Sequence, residues 1–162
     1  MWHIFNEEGA NEYATWVWDV FVPGTRRSNY AAMANYYYPG DEFVDWIGID
    51  GYQLVGVLGW GFDELFSNGY SIMRKKHPSK PIIVVETGCD ESPSKAKWVK
   101  NTFKSLKERY RGIKGICWWD MNWSHGRASC DSRIDSSPKA LEAFKQSIAD
   151  PYFLGKVPYR KI

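Results

Sequence analysis

Pro81-Ile82-Ile83-Val84-Val85-Glu86-Thr87-Gly88 decides how the rest of this 162-residue chain is read. A proline followed by four β-branched aliphatics predicts a strand buried on both faces, the kind found in parallel sheets. The run ends in a carboxylate and a Thr-Gly turn. That predicts Glu86 just past the strand's C-terminal end, where α/β folds place their chemistry. A capping acid would look the same in isolation, so the flanking sequence has to supply the rest.

Working outward, three more segments read as strands. They are Tyr13–Trp18 closed by Asp19, Phe43–Ile49 ending at Asp50-Gly51-Tyr52-Gln53, and Ile113–Trp118 ending at Trp119-Asp120. Phe62, Leu65, Phe66, Tyr70 and Met73 recur at helical spacing, as do Val99, Phe103, Leu106 and Tyr110. Ser92-Pro93 and Ser137-Pro138 each predict an N-cap followed by proline at the first helical position. Trp2–Glu8 reads as the end of a helix stopped by Gly9. Pro23-Gly24 predicts a turn, Arg26–Tyr38 a short helix or a loop, residues 119–135 a long loop, and Asp150–Ile162 a tail. The resulting β-α alternation predicts a parallel sheet with right-handed crossovers, in one domain over residues 1–162.

Charge excludes several classes of function. Lys and Arg number 21 against 19 Asp and Glu, a net charge of +2 with no basic block, so nothing favours nucleic acid or a membrane surface. Mean hydropathy is −0.48, and no apolar run approaches the length of a membrane span. Met1–Glu8 has neither the basic nor the apolar region of a signal peptide. Cys89, Cys117 and Cys130 lack CxxC spacing, so neither a disulfide framework nor a zinc site is read; a single Cys89–Cys130 bridge stays open. No cofactor is expected.

Aromatics make up 17% of the chain, with 9 Trp and 10 Tyr. Each strand ends in groups that bind or react: Trp18-Asp19, Asp50-Gly51-Tyr52, Glu86-Thr87-Gly88 and Trp118-Trp119-Asp120. Rings stack on sugar faces, carboxylates take hydroxyls, and paired carboxyls cleave glycosidic bonds. Any one of these residues alone fits a cap or a core position; all four strand ends together point to carbohydrate.

Several ordered motifs then resemble glycoside hydrolase family 26. They are Trp16-Val17-Trp18, Tyr37-Tyr38-Pro39-Gly40-Asp41, Val44 through Tyr52, Lys80-Pro81 through Gly88, Trp118, and Arg133-Ile134-Asp135-Ser136-Ser137. The family is known for endo-β-1,4-mannanases, with members acting on other β-glycans, and its members are usually secreted. The resemblance implies a (β/α)8 barrel and a retaining mechanism on β-mannan or a related β-glycan. It implies Glu86 as nucleophile, Tyr52 as the tyrosine holding that carboxylate ionised, and Trp118 as the platform under the sugar. Asp50 and Arg133 match recurring positions of structural support, while Trp18 and Trp119 are further substrate-binding candidates. Gln53 stands where the family often has asparagine.

The chain departs from the family in length. A barrel needs roughly 250 residues, and four strands resembling strands 5 to 8 are read here. The expected fold is therefore a partial barrel of about four βα units, with Met1 inside what would be helix 4. The family's acid/base, a glutamate of a His-Glu pair on strand 4, has no counterpart; Asp19 and Asp120 are weak substitutes. A complementary N-terminal half-barrel or a second copy of the chain is the expected partner. The competing reading is a non-catalytic carbohydrate-binding or interaction module. A flavodoxin-like domain is disfavoured, since no glycine-rich phosphate loop follows the first strand.

Overall fold

A computed structural model describes residues 1–22, 34, 36–54, 60–125 and 128–154. The Pro23-Gly24 turn, most of Arg26–Tyr38, much of the glycine-rich stretch after Gln53 and the end of the tail lie outside the described residues. Helix α1 (Trp2–Glu7) leads through a 3-10 turn (Ala10–Tyr13) to β1 (Val17–Phe21). A second 3-10 turn (Asp41–Phe43) precedes β2 (Trp46–Gln53), followed by α2 (Phe62–Lys76), β3 (Ile82–Cys89), α3 (Lys95–Glu108) and β4 (Ile113–Trp118). A hairpin, β5 (Asn122–His125) and β6 (Ala128–Asp131), then leads to α4 (Pro138–Ile148).

The sheet has the order β1-β2-β3-β4 and is parallel, as the buried strands and the βα alternation predicted. The chain divides into two compact units. The first comprises Met1–Tyr52, Glu64–Thr87 and Gly112–Trp118, and the second comprises the remainder. In the first unit, one face of the sheet is apolar: Ile47, Ile49, Ile82 and Val84 are fully buried, together with Phe66 and Met73 of α2. Phe66 and Met73 lie seven residues apart on one helix face, which is why that stripe turns inward. At the other end of the unit, α1 stops at Gly9 (φ 69°), as expected for a helix terminus. It docks by edge-to-face ring contacts, Trp2 on Phe43 and Phe5 on Trp16, each with centroids 5.1 Å apart.

In the second unit α3 and α4 pack together, with Phe103 edge-on to Phe144 and to Phe153. Ser137 caps α4 as predicted, its hydroxyl accepting the Ala140 N–H at 3.3 Å ahead of Pro138. Four expectations are corrected. Helix α3 starts at Lys95 behind Ser94, so Ser92-Pro93 forms the preceding turn and not the cap. Strand β1 begins at Val17, four residues later than the aromatic run implied, because Ala10–Tyr13 is taken up by the 3-10 turn. The long loop after β4 contains the β5–β6 hairpin, whose largely polar sequence carries little strand signal. Strand β3 runs to Cys89, so Glu86 lies within it, not beyond it. Cys89 and Cys130 are both buried free thiols, and Cys117 is an exposed one.

Phe66→Ala is expected to lower stability by about 3–5 kcal/mol, since its ring is wholly buried. Phe21→Ala, at 60% exposure on the edge strand, should change it by roughly 0.5 kcal/mol or less. Urea denaturation midpoints of the two variants check the contrast.

Candidate active site

Strand β2 builds the site by simple alternation. Ile47 and Ile49 face the apolar layer, so Gly48, Asp50 and Tyr52 share the opposite face. Successive members of that row lie about 6–7 Å apart along the strand. Each meets something different. Asp19 of β1 pairs in register with Gly48, and a side chain at Gly48 would meet the Asp19 carboxylate at 2.9 Å. Glycine at that position is what lets the Asp19 carboxylate lie across β2. Two residues on stands Asp50. Two further on, the Tyr52 phenol donates a hydrogen bond to Oε2 of Glu86.

Glu86 reaches Tyr52 because β3 is irregular. Between Val84 and Thr87 the strand advances three residues while its partner β4 advances two, from Ile116 to Trp118. The extra residue in this bulge breaks the alternation that would otherwise put Glu86 on the same face as the buried Val84. Thr87, fully buried, locks the bulge by donating its hydroxyl to the Gly51 carbonyl at 2.8 Å. Trp118 pairs with Thr87 at the end of β4.

The three carboxyls repel one another. Burial pushes Asp50 up to about 7, and the negative charges of Asp19 and Glu86 push in the same direction. Asp19 is raised as well, first by desolvation and then by the Glu86 charge, against a lowering hydrogen bond from the Val20 backbone. Asp50 is therefore only partly ionised at neutral pH, where an ordinary aspartate is fully charged.

Glu86, Tyr52, Asp50 and Asp19 are thus brought together. Trp18 is not with them: it turns to the opposite face of β1, edge-on to Tyr38 at 5.0 Å and near His77. Trp119, Asp120 and Arg133 belong to the second unit. There Asp120 accepts the Ile134 N–H at 2.7 Å, and the Arg133 guanidinium forks onto Asp131 at 2.9 and 2.8 Å. The place of Asp19 over Gly48 was missed by sequence reasoning; an Asp at the start of an aromatic strand and a Gly in a hydrophobic one were its only traces. No group of His, Cys, Asp or Glu among the described residues has the arrangement of a metal site, and no described helix is long and apolar enough to cross a membrane.

No protein-family model matches the chain. Among curated proteins it is similar to an endoglucanase H from Acetivibrio thermocellus, 32% identical over 153 residues, covering 90% of this chain and 16% of that protein. Among solved structures it is similar to a Cellulomonas fimi endo-β-1,4-mannanase (TM-score 0.57, 21% identity, 86% of this chain, 31% of that one). A second is the family 26 domain of a Prevotella bryantii endo-β-mannanase/endo-β-glucanase (TM-score 0.54, 18% identity, 94% and 37%). A third is a family 5 xyloglucan-specific endo-β-1,4-glucanase from a metagenomic library (TM-score 0.55, 16% identity, 88% and 46%). The chain has the fold of part of a glycoside hydrolase barrel. It spans less than half the length of each of these proteins, and the structures it resembles include family 5 as well as family 26.

The raised carboxyl of Asp50 has a consequence for stability. An unfolded aspartate ionises near pH 4, so between about pH 4 and 7 the folded chain holds a proton that the unfolded chain has lost. Stability contributed through Asp50 is present below that window and lost as pH rises through it. Asp50→Asn should flatten the fall in melting temperature between pH 4 and 7 and melt above wild type at pH 8, measured by circular dichroism.

Proposed function

We propose that this chain is part of a retaining β-glycan hydrolase resembling the endo-β-1,4-mannanases of family 26, with Glu86 as nucleophile. The observation carrying this reading is the Tyr52–Glu86 hydrogen bond at the C-terminal end of a parallel sheet. A donor to an ionised carboxylate stabilises its charge and fixes its direction. Glu86 would attack the anomeric carbon as the glycosidic C–O bond breaks, forming a glycosyl-enzyme that water then hydrolyses. A second carboxyl group must protonate the leaving oxygen and afterwards take a proton from that water. Trp118, at the end of β4, would supply the apolar platform beneath the sugar ring. The endoglucanase and mannanase names carried by the proteins it resembles support a β-glycan as substrate.

The acid is best supplied from outside this sheet. Among the described residues the sheet has four strands with β1 and β4 at its edges, whereas a closed barrel has eight. Val17, Asp19 and Phe21 of the edge strand β1 are exposed on the sheet face that also carries Asp50. A complementary half-barrel pairing there would cover them and bring the acid to the face that carries Glu86.

A reducing-sugar assay on β-mannan and mixed-linkage β-glucan, with the native mass of the same sample, tests the reading. Glu86→Gln should lower cleavage at least about 10³-fold. Tyr52→Phe should lower it roughly 10- to 100-fold, the worth of one hydrogen bond to a charged group. A native mass of twice the chain would identify the complementary half as a second copy. Glycan binding without hydrolysis, unchanged by Glu86→Gln, would overturn the catalytic reading in favour of a binding module.

A further inference from the structure

The second unit contains a lysine where none is expected. Lys95, in the first turn of α3, is 1% exposed. Its ammonium donates to the Asp131 carbonyl at 2.7 Å, the Arg133 carbonyl at 2.9 Å and the Ser136 hydroxyl at 2.7 Å. The Glu91 carboxylate lies 3.8 Å away and accepts a hydrogen bond from Ser136. An ammonium has three N–H donors, and all three are used on one six-residue segment. A buried charge is costly unless it is met in this way, so the segment and the lysine depend on each other.

Other groups hold the same segment. Asp90 accepts the Asp131 N–H at 2.8 Å, and the Ser132 N–H reaches the Met121 carbonyl at 3.0 Å. What this scaffold presents outward is Arg133, with its side chain 46% exposed and its guanidinium plane already fixed by Asp131. Trp119, 38% exposed, is tied to the same segment because its carbonyl accepts the Ser132 hydroxyl at 2.5 Å. A fixed planar donor and a half-exposed indole are the two elements that sugar recognition uses, hydroxyls for one and a ring face for the other.

We propose that Lys95 is a positioning residue for β-glycan binding: it fixes residues 131–136 so that Arg133 and Trp119 form a sugar-binding platform at the foot of the β5–β6 hairpin. This rests on the β-glycan reading above and adds a subsite and the device that builds it.

The test is native electrophoresis through gels containing soluble galactomannan or mixed-linkage β-glucan, with amide hydrogen exchange on the same samples. Lys95→Met should weaken retardation about 10-fold and strip protection from the Asp131, Ser132, Ile134 and Ser136 amides while β2 and β3 stay protected. Trp119→Ala and Arg133→Ala, which leave the buried ammonium in place, should weaken retardation while the exchange pattern stays that of wild type. Phe144→Leu, which loosens the α3–α4 contact, should lower the melting temperature and leave retardation unchanged. Wild-type retardation that survives in a folded Lys95→Met overturns the positioning role alone. If Lys95→Met does not fold, unchanged retardation of Trp119→Ala and Arg133→Ala overturns the platform. A wild type retarded by neither glycan overturns the β-glycan reading together with it.

Discussion

A strand buried in a parallel sheet has to be apolar, yet a carboxylate on that strand has to leave the apolar layer. Strand β3 meets both demands within eight residues. Ile82 and Val84 face the fully buried layer, and one extra residue before Thr87 then changes which way the strand points its side chains. Thr87 secures the change through the Gly51 carbonyl, and Tyr52 receives the redirected Glu86. Remove the bulge and the carboxylate would face Val84's apolar neighbours, an unpaired buried charge that the fold would not tolerate. The position of the glutamate and the stability of the strand are therefore a single constraint.

The opposite face of β2 carries the cost. Asp19, Asp50 and Glu86 gather where water is partly excluded; burial first, and the neighbouring carboxylate charges second, raise Asp50 to a pKa of about 7. Such a cluster destabilises the chain at neutral pH, and the apolar layer of Ile47, Ile49, Phe66 and Met73 offsets it. Apolar burial is concentrated on one face of the sheet and the carboxylates on the other. That division is a general feature of parallel sheets with function at their strand ends.

The β3 run is legible because consecutive β-branched residues after a proline leave little choice, and the βα alternation makes the parallel sheet legible. Strand β4 and the Ser137 cap were read to the residue. The bulge was not, since Val84-Val85-Glu86 carries no mark of an extra residue, and Glu86 was accordingly placed beyond the strand. The strand-end position of Trp18 makes it a substrate-binding candidate in the sequence, whereas alternation along β1 turns it toward Tyr38. Lys95 did leave a trace. The apolar stripe Val99, Phe103, Leu106 and Tyr110, extended back by one helical step of four, lands on it. A lysine there reads as solvated surface, and only the segment 131–136, far along the chain, shows why it is buried.

These two polar arrangements solve opposite problems. Around Lys95 every donor is matched, so a charge can be buried and used to hold backbone in place. Around Asp50 burial and like charges act together, so that carboxyl gives up its proton far less readily than an ordinary aspartate. Among the described residues, β1 and β4 form the edges of the sheet whose face carries these like charges. The matched cluster can be complete in itself. On the hydrolase reading proposed above, the carboxylate cluster is the part that the hydroxyls of a sugar or a further set of strands would complete.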